Sequence, residues 1–204
     1  MSSAHYFSQD PQGDFKPRPL SLELAGRQLE VLTAPGIFSP GGLDKGTKVL
    51  LDTVPEPTGQ RLLDIGTGWG PITLSLALLA PEAEVYGVEV NQRSAQLTRM
   101  NAQRLGLERV QVFAPEELNP NLTFDTIWSN PPIRVGKEVL HQILSTWLPR
   151  LAPGGVAYLV VQKNLGADSL LKWLEASFPE LSSSRYATSK GFRVLQVARP
   201  VSGI

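Results

Sequence analysis

The chain has 204 residues, 42% apolar and 19% charged, which suits one ordinary globular domain with its own core and is short for two. It contains no cysteine, which excludes disulfides, thiol catalysis and thiolate metal sites; its two histidines, His5 and His141, stand far apart in sequence, and no metal is assigned. Nineteen basic residues balance nineteen acidic ones, so a nucleic-acid partner has to be held by a local patch and not by the field of the whole molecule.

The start, MSSAHYFSQDPQ, has neither the basic segment nor the apolar run of a secretory signal, and no stretch reaches the length of a membrane-spanning helix. A cytoplasmic protein without a membrane partner is expected. Residues 20–33, LSLELAGRQLEVLT, alternate apolar and polar on both sides of Ala25-Gly26 and read as a β-hairpin. Prolines and glycines at 35–42 break the chain, and 43–53 reads as a short helix leading to the turn at 55–59.

From Arg61 the pattern changes. Strand-like runs at 61–65, 84–90, 110–114, 124–129 and 156–162 alternate with helical segments at 71–80, 92–105, 137–151 and 167–177, the rhythm of a parallel sheet covered by helices. Pro71 in a first helical turn, Asn91 as an N-cap and Gly106 just past a helix end set boundaries where backbone chemistry wants them. Residues 192–199, FRVLQVAR, follow Tyr186 without an obvious long helix between, and read as a last strand in an antiparallel hairpin at the sheet edge. The expected fold is α/β and doubly wound. We expect one domain over 1–204, with 1–55 a hairpin and cap segment and 56–204 the core.

Two constellations carry chemistry. In LLDIGTGWG, residues 62–70, Gly66, Gly68 and Gly70 let the turn between a strand and a helix approach a ligand closely, and Asp64 precedes them at the strand end. Nineteen residues beyond Gly70, Glu89 stands between Val88 and Val90 at the tip of the next strand, suited to accept both hydroxyls of a ribose. A nicotinamide dinucleotide and S-adenosylmethionine are the two candidates, and the spacing Gly-x-Gly-x-Gly, with Pro71 where a dinucleotide fingerprint wants its third glycine, weakens the pyrophosphate reading.

The second is Asn130-Pro131-Pro132-Ile133, just beyond the apolar run 124–128. Two prolines stiffen the loop and leave it few amide donors, so the Asn130 side-chain oxygen and the Pro131 carbonyl can accept the two protons of a planar NH2 group. The amine's lone pair is then freed to attack a sulfonium methyl group, with catalysis by positioning and electrostatics and no strong base.

These residues resemble the class I S-adenosylmethionine-dependent methyltransferases, and more narrowly the catalytic domain of small-subunit ribosomal RNA guanine-N2 methyltransferases. The likeness extends to HYFS near the start, GIFSPGGLDKGTKVLL at 36–51, VEVNQRSAQLTRMNAQRLGL at 88–107 and LAPGGVAYLVVQKNLGA at 151–167. It implies a Rossmann-like, mostly parallel seven-stranded sheet with a C-terminal antiparallel strand and an N-terminal β-hairpin extension. It further implies Asp64, Gly66, Thr67, Gly68, Gly70, Glu89 and Val90 on the cofactor, with Phe38, Gly46 and Thr47 packed over it. Asn130, Pro131 and Pro132 are implied at the target amine, Asn130 also touching the cofactor.

Two departures stand out. Many amino-methyltransferases carry an aromatic residue after the prolines to stack on the target base, where this chain has Ile133; Tyr6, Phe7, Phe38 and Trp69 are substitutes to consider. The two-domain ribosomal enzymes also carry a further N-terminal domain, and this chain is similar to the shorter, single-domain relatives. Ile133, Arg134 and Lys137 are the candidate substrate contacts, with His141 joining the two cations on phosphate.

The leading expectation is methylation of guanine N2 in ribosomal or other structured RNA, with RNA or a ribosomal subunit as partner. The motif alone leaves guanine or adenine, and RNA or DNA, open; a protein glutamine amide is also a planar NH2. From other classes, a cofactor-binding RNA assembly module and a nicotinamide oxidoreductase complete the set.

Overall fold

The computed structural model describes residues 14–201. The elements, in chain order, are β1 (Arg18–Leu24), β2 (Arg27–Thr33), α1 (Lys45–Thr53), β3 (Arg61–Ile65), α2 (Pro71–Leu79), β4 (Glu84–Val88), α3 (Gln92–Arg104), β5 (Val110–Phe113) and β6 (Phe124–Ser129). They continue with α4 (Lys137–Trp147), β7 (Leu151–Gln162), α5 (Ala167–Ser177), β8 (Ser182–Ser189) and β9 (Phe192–Ala198). Between β1 and β2, Ala25 and Gly26 both take positive φ, 49° and 72°, the conformation whose twist matches a two-residue hairpin.

The remaining strands form one seven-stranded sheet ordered β5-β4-β3-β6-β7-β9-β8. The first five run parallel, and β9 is antiparallel to both β7 and β8. Alternate strand residues feed two cores. Leu63, Ile127, Leu159 and Leu195 pack with α4 and α5, while Leu62, Trp128, Val160 and Val194 pack with α1 and α2, so the sheet is covered on both faces.

Strand order reverses between β3 and β6: the chain leaves β3 toward β4 on one side and leaves β6 toward β7 on the other. Loops diverging from such a pair of carboxyl ends leave a crevice between them, the usual place for a ligand in an open α/β sheet. Both motifs of interest follow these two strands.

The hairpin is fastened to the core through Asn101 of α3. Its Oδ1 accepts from Leu32 N at 2.6 Å, and its Nδ2 donates to Leu32 O and Trp69 O at 2.9 and 2.8 Å. A small core of Leu24, Val31 and Ile37 with Trp69, Leu74 and Leu97 seals the contact. The cap is thus tied directly to the glycine loop.

Three assignments shift. The helix expected to reach residue 151 ends at Trp147, because Pro149 cannot continue it; residues 148–150 form a single 3-10 turn and β7 begins at Leu151. β8, SSSRYATS, offers almost no apolar alternation because it is an edge strand with a mostly exposed surface, bulged between Arg185 and Ala187. The antiparallel hairpin does form the sheet edge, but β8 is its outer strand and β9 lies inside it. Among the described residues no helix is long and apolar enough to cross a membrane.

Candidate functional site: a crevice between the glycine loop and the proline loop

The loop after β3 is pinned at its start, where Gly66 N donates to Val88 O of β4 at 2.8 Å, and at its end, where Gly70 at φ 107° leads into Pro71, the first residue of α2. Between these points Glu89 shapes it. Its Oε2 accepts from Gly68 N and its Oε1 from Asn91 N, both at 2.9 Å. Burial raises the Glu89 carboxyl above its ordinary range, and the backbone donors at Asn91 and Gly68 work against that rise. Val90 is a third backbone donor that opposes the rise, and the carboxylate's remaining lone-pair capacity is open to an incoming donor. β4 must come very close to this loop: a Cβ on Gly87 would lie 2.5 Å from Thr67 Cγ2, which only glycine avoids.

Asp64 has a different position. It is fully buried, accepts from Thr73 Oγ1 at 2.7 Å, and leaves Oδ1 with no partner among the described residues. Burial pushes its carboxyl up to about 7, the Thr73 hydroxyl opposing and Glu89 adding to the rise. It does not line the crevice, and it ties β3 to the first turn of α2 instead of gathering the loop amides.

Across the crevice, Ser129 Oγ at the end of β6 donates to Ile65 O at 2.8 Å, locking the proline loop beside the glycine loop. The next residue, Asn130, has its Nδ2 held by Asp44 Oδ2 at 2.9 Å and by Thr47 Oγ1 at 3.1 Å. A carboxylate only accepts, so this contact settles which way the amide faces: NH2 toward Asp44, Oδ1 away from it. Among the described residues no hydrogen bond reaches Asn130 Oδ1 or the Pro131 carbonyl. Asp44 is also the N-cap of α1, accepting from Gly46 N at 2.8 Å and Thr47 N at 3.2 Å.

One cavity of about 500 Å³ joins the two loops. Its glycine-loop side is walled by Gly66, Thr67, Gly68, Glu89 and Val90, and its proline-loop side by Asn130, Pro131, Pro132, Ile133 and Arg134. Phe38 and Thr47 from the cap segment complete it. Gly70, Gly46 and Lys137 stand outside the lining; Gly46 sits behind Asn130, where a Cβ would lie 3.4 Å from Asn130 Nδ2, and Lys137 is exposed at the start of α4.

Of the four aromatic residues considered for stacking, Tyr6 and Phe7 lie outside the described residues. Trp69 is a buried wall whose Nε1 donates to Ser39 O at 3.2 Å, and Phe38 is 46% exposed at the cavity. His141 stacks on Trp173, ring centres 3.8 Å apart, and burial, then Lys137, lowers its imidazole below the ordinary value. Of the three candidate phosphate contacts, only Arg134 lines the cavity.

Asp44, Phe192 and Gln162 are among the lining residues that the sequence reading did not single out. Asp44 was readable as an N-cap before a helix, but its contact with Asn130 spans 86 positions and has no local signal. Phe192 and Gln162 reach the cavity only because β9 pairs with β7, Gln162 opposite Phe192.

The fold and this crevice are those of a class I methyltransferase that uses S-adenosylmethionine. Residues 28–196 match the family model of the methyltransferase small domain, and the chain belongs to that family. It is 31% identical over 201 residues to the uncharacterized protein YbxB of Bacillus subtilis (strain 168), covering 97% of this chain and 99% of that one. It is 35% identical over 184 residues to ribosomal RNA small subunit methyltransferase C of Hahella chejuensis, covering 83% of this chain and 52% of that one. Among solved structures, the T. thermophilus 16S rRNA N2 G1207 methyltransferase (RsmC), in complex with AdoMet and guanosine, superposes with a TM-score of 0.78 at 28% identity, covering 93% of this chain and 52% of that one. The chain therefore spans about half the length of the ribosomal RNA methyltransferases that it matches.

Proposed function

We propose that this protein is an N-methyltransferase acting on the exocyclic amine of a nucleobase, guanine N2 in ribosomal RNA. The observation that carries the reading is the Asn130 amide, turned by Asp44 and Thr47 so that Oδ1 and the neighbouring Pro131 carbonyl are two unengaged acceptors in the same cavity as Glu89. Two acceptors on a stiff proline loop suit a flat NH2 group, and the T. thermophilus relative crystallised with guanosine supports the choice of base.

The residues fit the cofactor. Glu89 has lone pairs to spare for ribose hydroxyls, the space above Gly66 and Gly68 is open, with nothing within 4 Å of where a Cβ would stand, and Val90 with Pro115 offers apolar surface for an adenine. Bound S-adenosylmethionine supplies an electrophilic sulfonium methyl group. Asn130 Oδ1 and Pro131 O hold the two amine protons, which frees the nitrogen lone pair from the ring and stabilises the positive charge that develops there. Pro132 keeps the loop stiff, Ile133 borders the base, and Arg134 and Lys137 meet backbone phosphate.

On this reading residues 1–204 act as one catalytic domain, 1–55 capping a core at 56–204, and the compartment is the cytoplasm, where ribosomal RNA or a ribosomal subunit is the partner. The test is transfer of tritiated methyl to small-subunit ribosomal RNA, followed by digestion to nucleosides. Label in N2-methylguanosine supports the reading. Label in N6-methyladenosine, or in methylglutamine when protein is offered instead, moves the substrate to another amine, and label on ribose or carbon contradicts it.

A further inference from the structure

Among the residues that the sequence reading did not weigh, Phe192 occupies the position with most to say about the acceptor. It opens β9, is half-buried, lines the cavity and packs against the core under α1 and α2. Ile133 lines the same cavity from the other direction, packed against the core under α4 and α5. The two side chains therefore approach the crevice from opposite faces of the sheet.

Phe192 is also beside the amine-holding group. A Cβ on Gly46 would lie 3.0 Å from Phe192 Cε1 and 3.4 Å from Asn130 Nδ2, so ring edge and amide flank the same bare glycine. That glycine is what lets the first turn of α1 pass without pushing the ring away.

We propose that Phe192 is the stacking wall for the target base, supplying from β9 the ring that Ile133 does not provide after the prolines, with Ile133 as the apolar opposite wall. This rests on the nucleobase reading above. The acceptor pocket becomes a slot between an aromatic and an aliphatic side chain, with Asn130 Oδ1 and Pro131 O at its closed end. A purine fills such a slot with its full π-face; a glutamine side chain leaves the ring uncovered.

The probe is 2-aminopurine riboside, whose C2 amino group matches the guanine N2 position and whose fluorescence is quenched by aromatic stacking. It is titrated into protein saturated with S-adenosylhomocysteine, comparing the parent with Phe192→Leu and Phe192→Tyr. The expected result is quenching in the parent and in Phe192→Tyr, loss of quenching in Phe192→Leu with unchanged S-adenosylhomocysteine affinity, and a KM for RNA about 5- to 100-fold higher, as base–aromatic stacking requires. Should Phe192→Leu fail to bind S-adenosylhomocysteine, Phe192→Met carries the same comparison.

Quenching that survives removal of the ring, or no quenching in the parent, overturns the assignment. Ribosomal RNA methylated by parent and Phe192→Leu with equal KM removes the wall and leaves the substrate reading standing. Quenching that depends on Phe192 in a protein that methylates no RNA does the reverse.

Discussion

Asn130 Nδ2 donates to Asp44 Oδ2 at 2.9 Å across 86 positions of sequence, so the carboxylate that caps α1 also orients the amide of the proline loop. Three donors converge on that oxygen: Gly46 N, Thr47 N and Asn130 Nδ2. The cap segment thus helps fix where Asn130 Oδ1 stands, which on the proposed reading is beside the target amine.

Asp44→Ser separates the two tasks, because serine still caps a helix but presents a hydroxyl, not a carboxylate, to Asn130. We expect kcat to fall about 10- to 100-fold, as small misplacements of a positioning group do, while S-adenosylhomocysteine affinity changes little. Calorimetry beside single-turnover rates checks the split. Equal loss in both would make Asp44 a folding residue only.

Glu89→Ala removes the acceptor for Gly68 N and Asn91 N as well as the carboxylate offered to a ribose. A roughly 10- to 100-fold weaker Kd for S-adenosylhomocysteine is expected, the scale of lost charge-assisted hydrogen bonds. Isothermal titration reads it, and an unchanged Kd would take Glu89 out of the cofactor site.

Asp64 gives a pH signature. Its folded pKa is raised to about 7 from an ordinary 3.8, so the native state holds a proton that the unfolded chain releases. That share of stability is fully present below about pH 4 and is lost as pH rises through about 7. Asp64→Asn removes the charge that burial penalises, so the difference in Tm, variant minus parent, should grow from pH 4 to pH 8. Thermal melts of the ligand-free protein across that range decide it; a constant difference would show that Asp64 does not titrate there.

The sequence was most informative where chemistry is local. Period-two and helical patterning located the parallel strands and their helices, Pro71 and Asn91 stood at helix starts, and the glycine loop and the loop at 130–133 do follow two adjoining strands. β8 escaped because a polar edge strand has one weakly patterned face. Asp44 and Phe192 escaped for another reason: their relevance arises from pairing distant segments, α1 against β6 and β9 against β7, which no window of residues contains. Asp64 was found but its surroundings were not, since a motif gives a residue's place on a strand and not the depth to which the next helix buries it.

The most direct measurement is the single-turnover rate of methyl transfer to ribosomal RNA for the parent and for Asn130→Ala, each saturated with cofactor and RNA. If Asn130 Oδ1 and Pro131 O hold the target amine, the rate falls at least about 100-fold, the scale for removing one preorganised stabilising group, with S-adenosylhomocysteine affinity within a few-fold of the parent. A variant that transfers methyl at the parental rate would mean that the amine is held elsewhere.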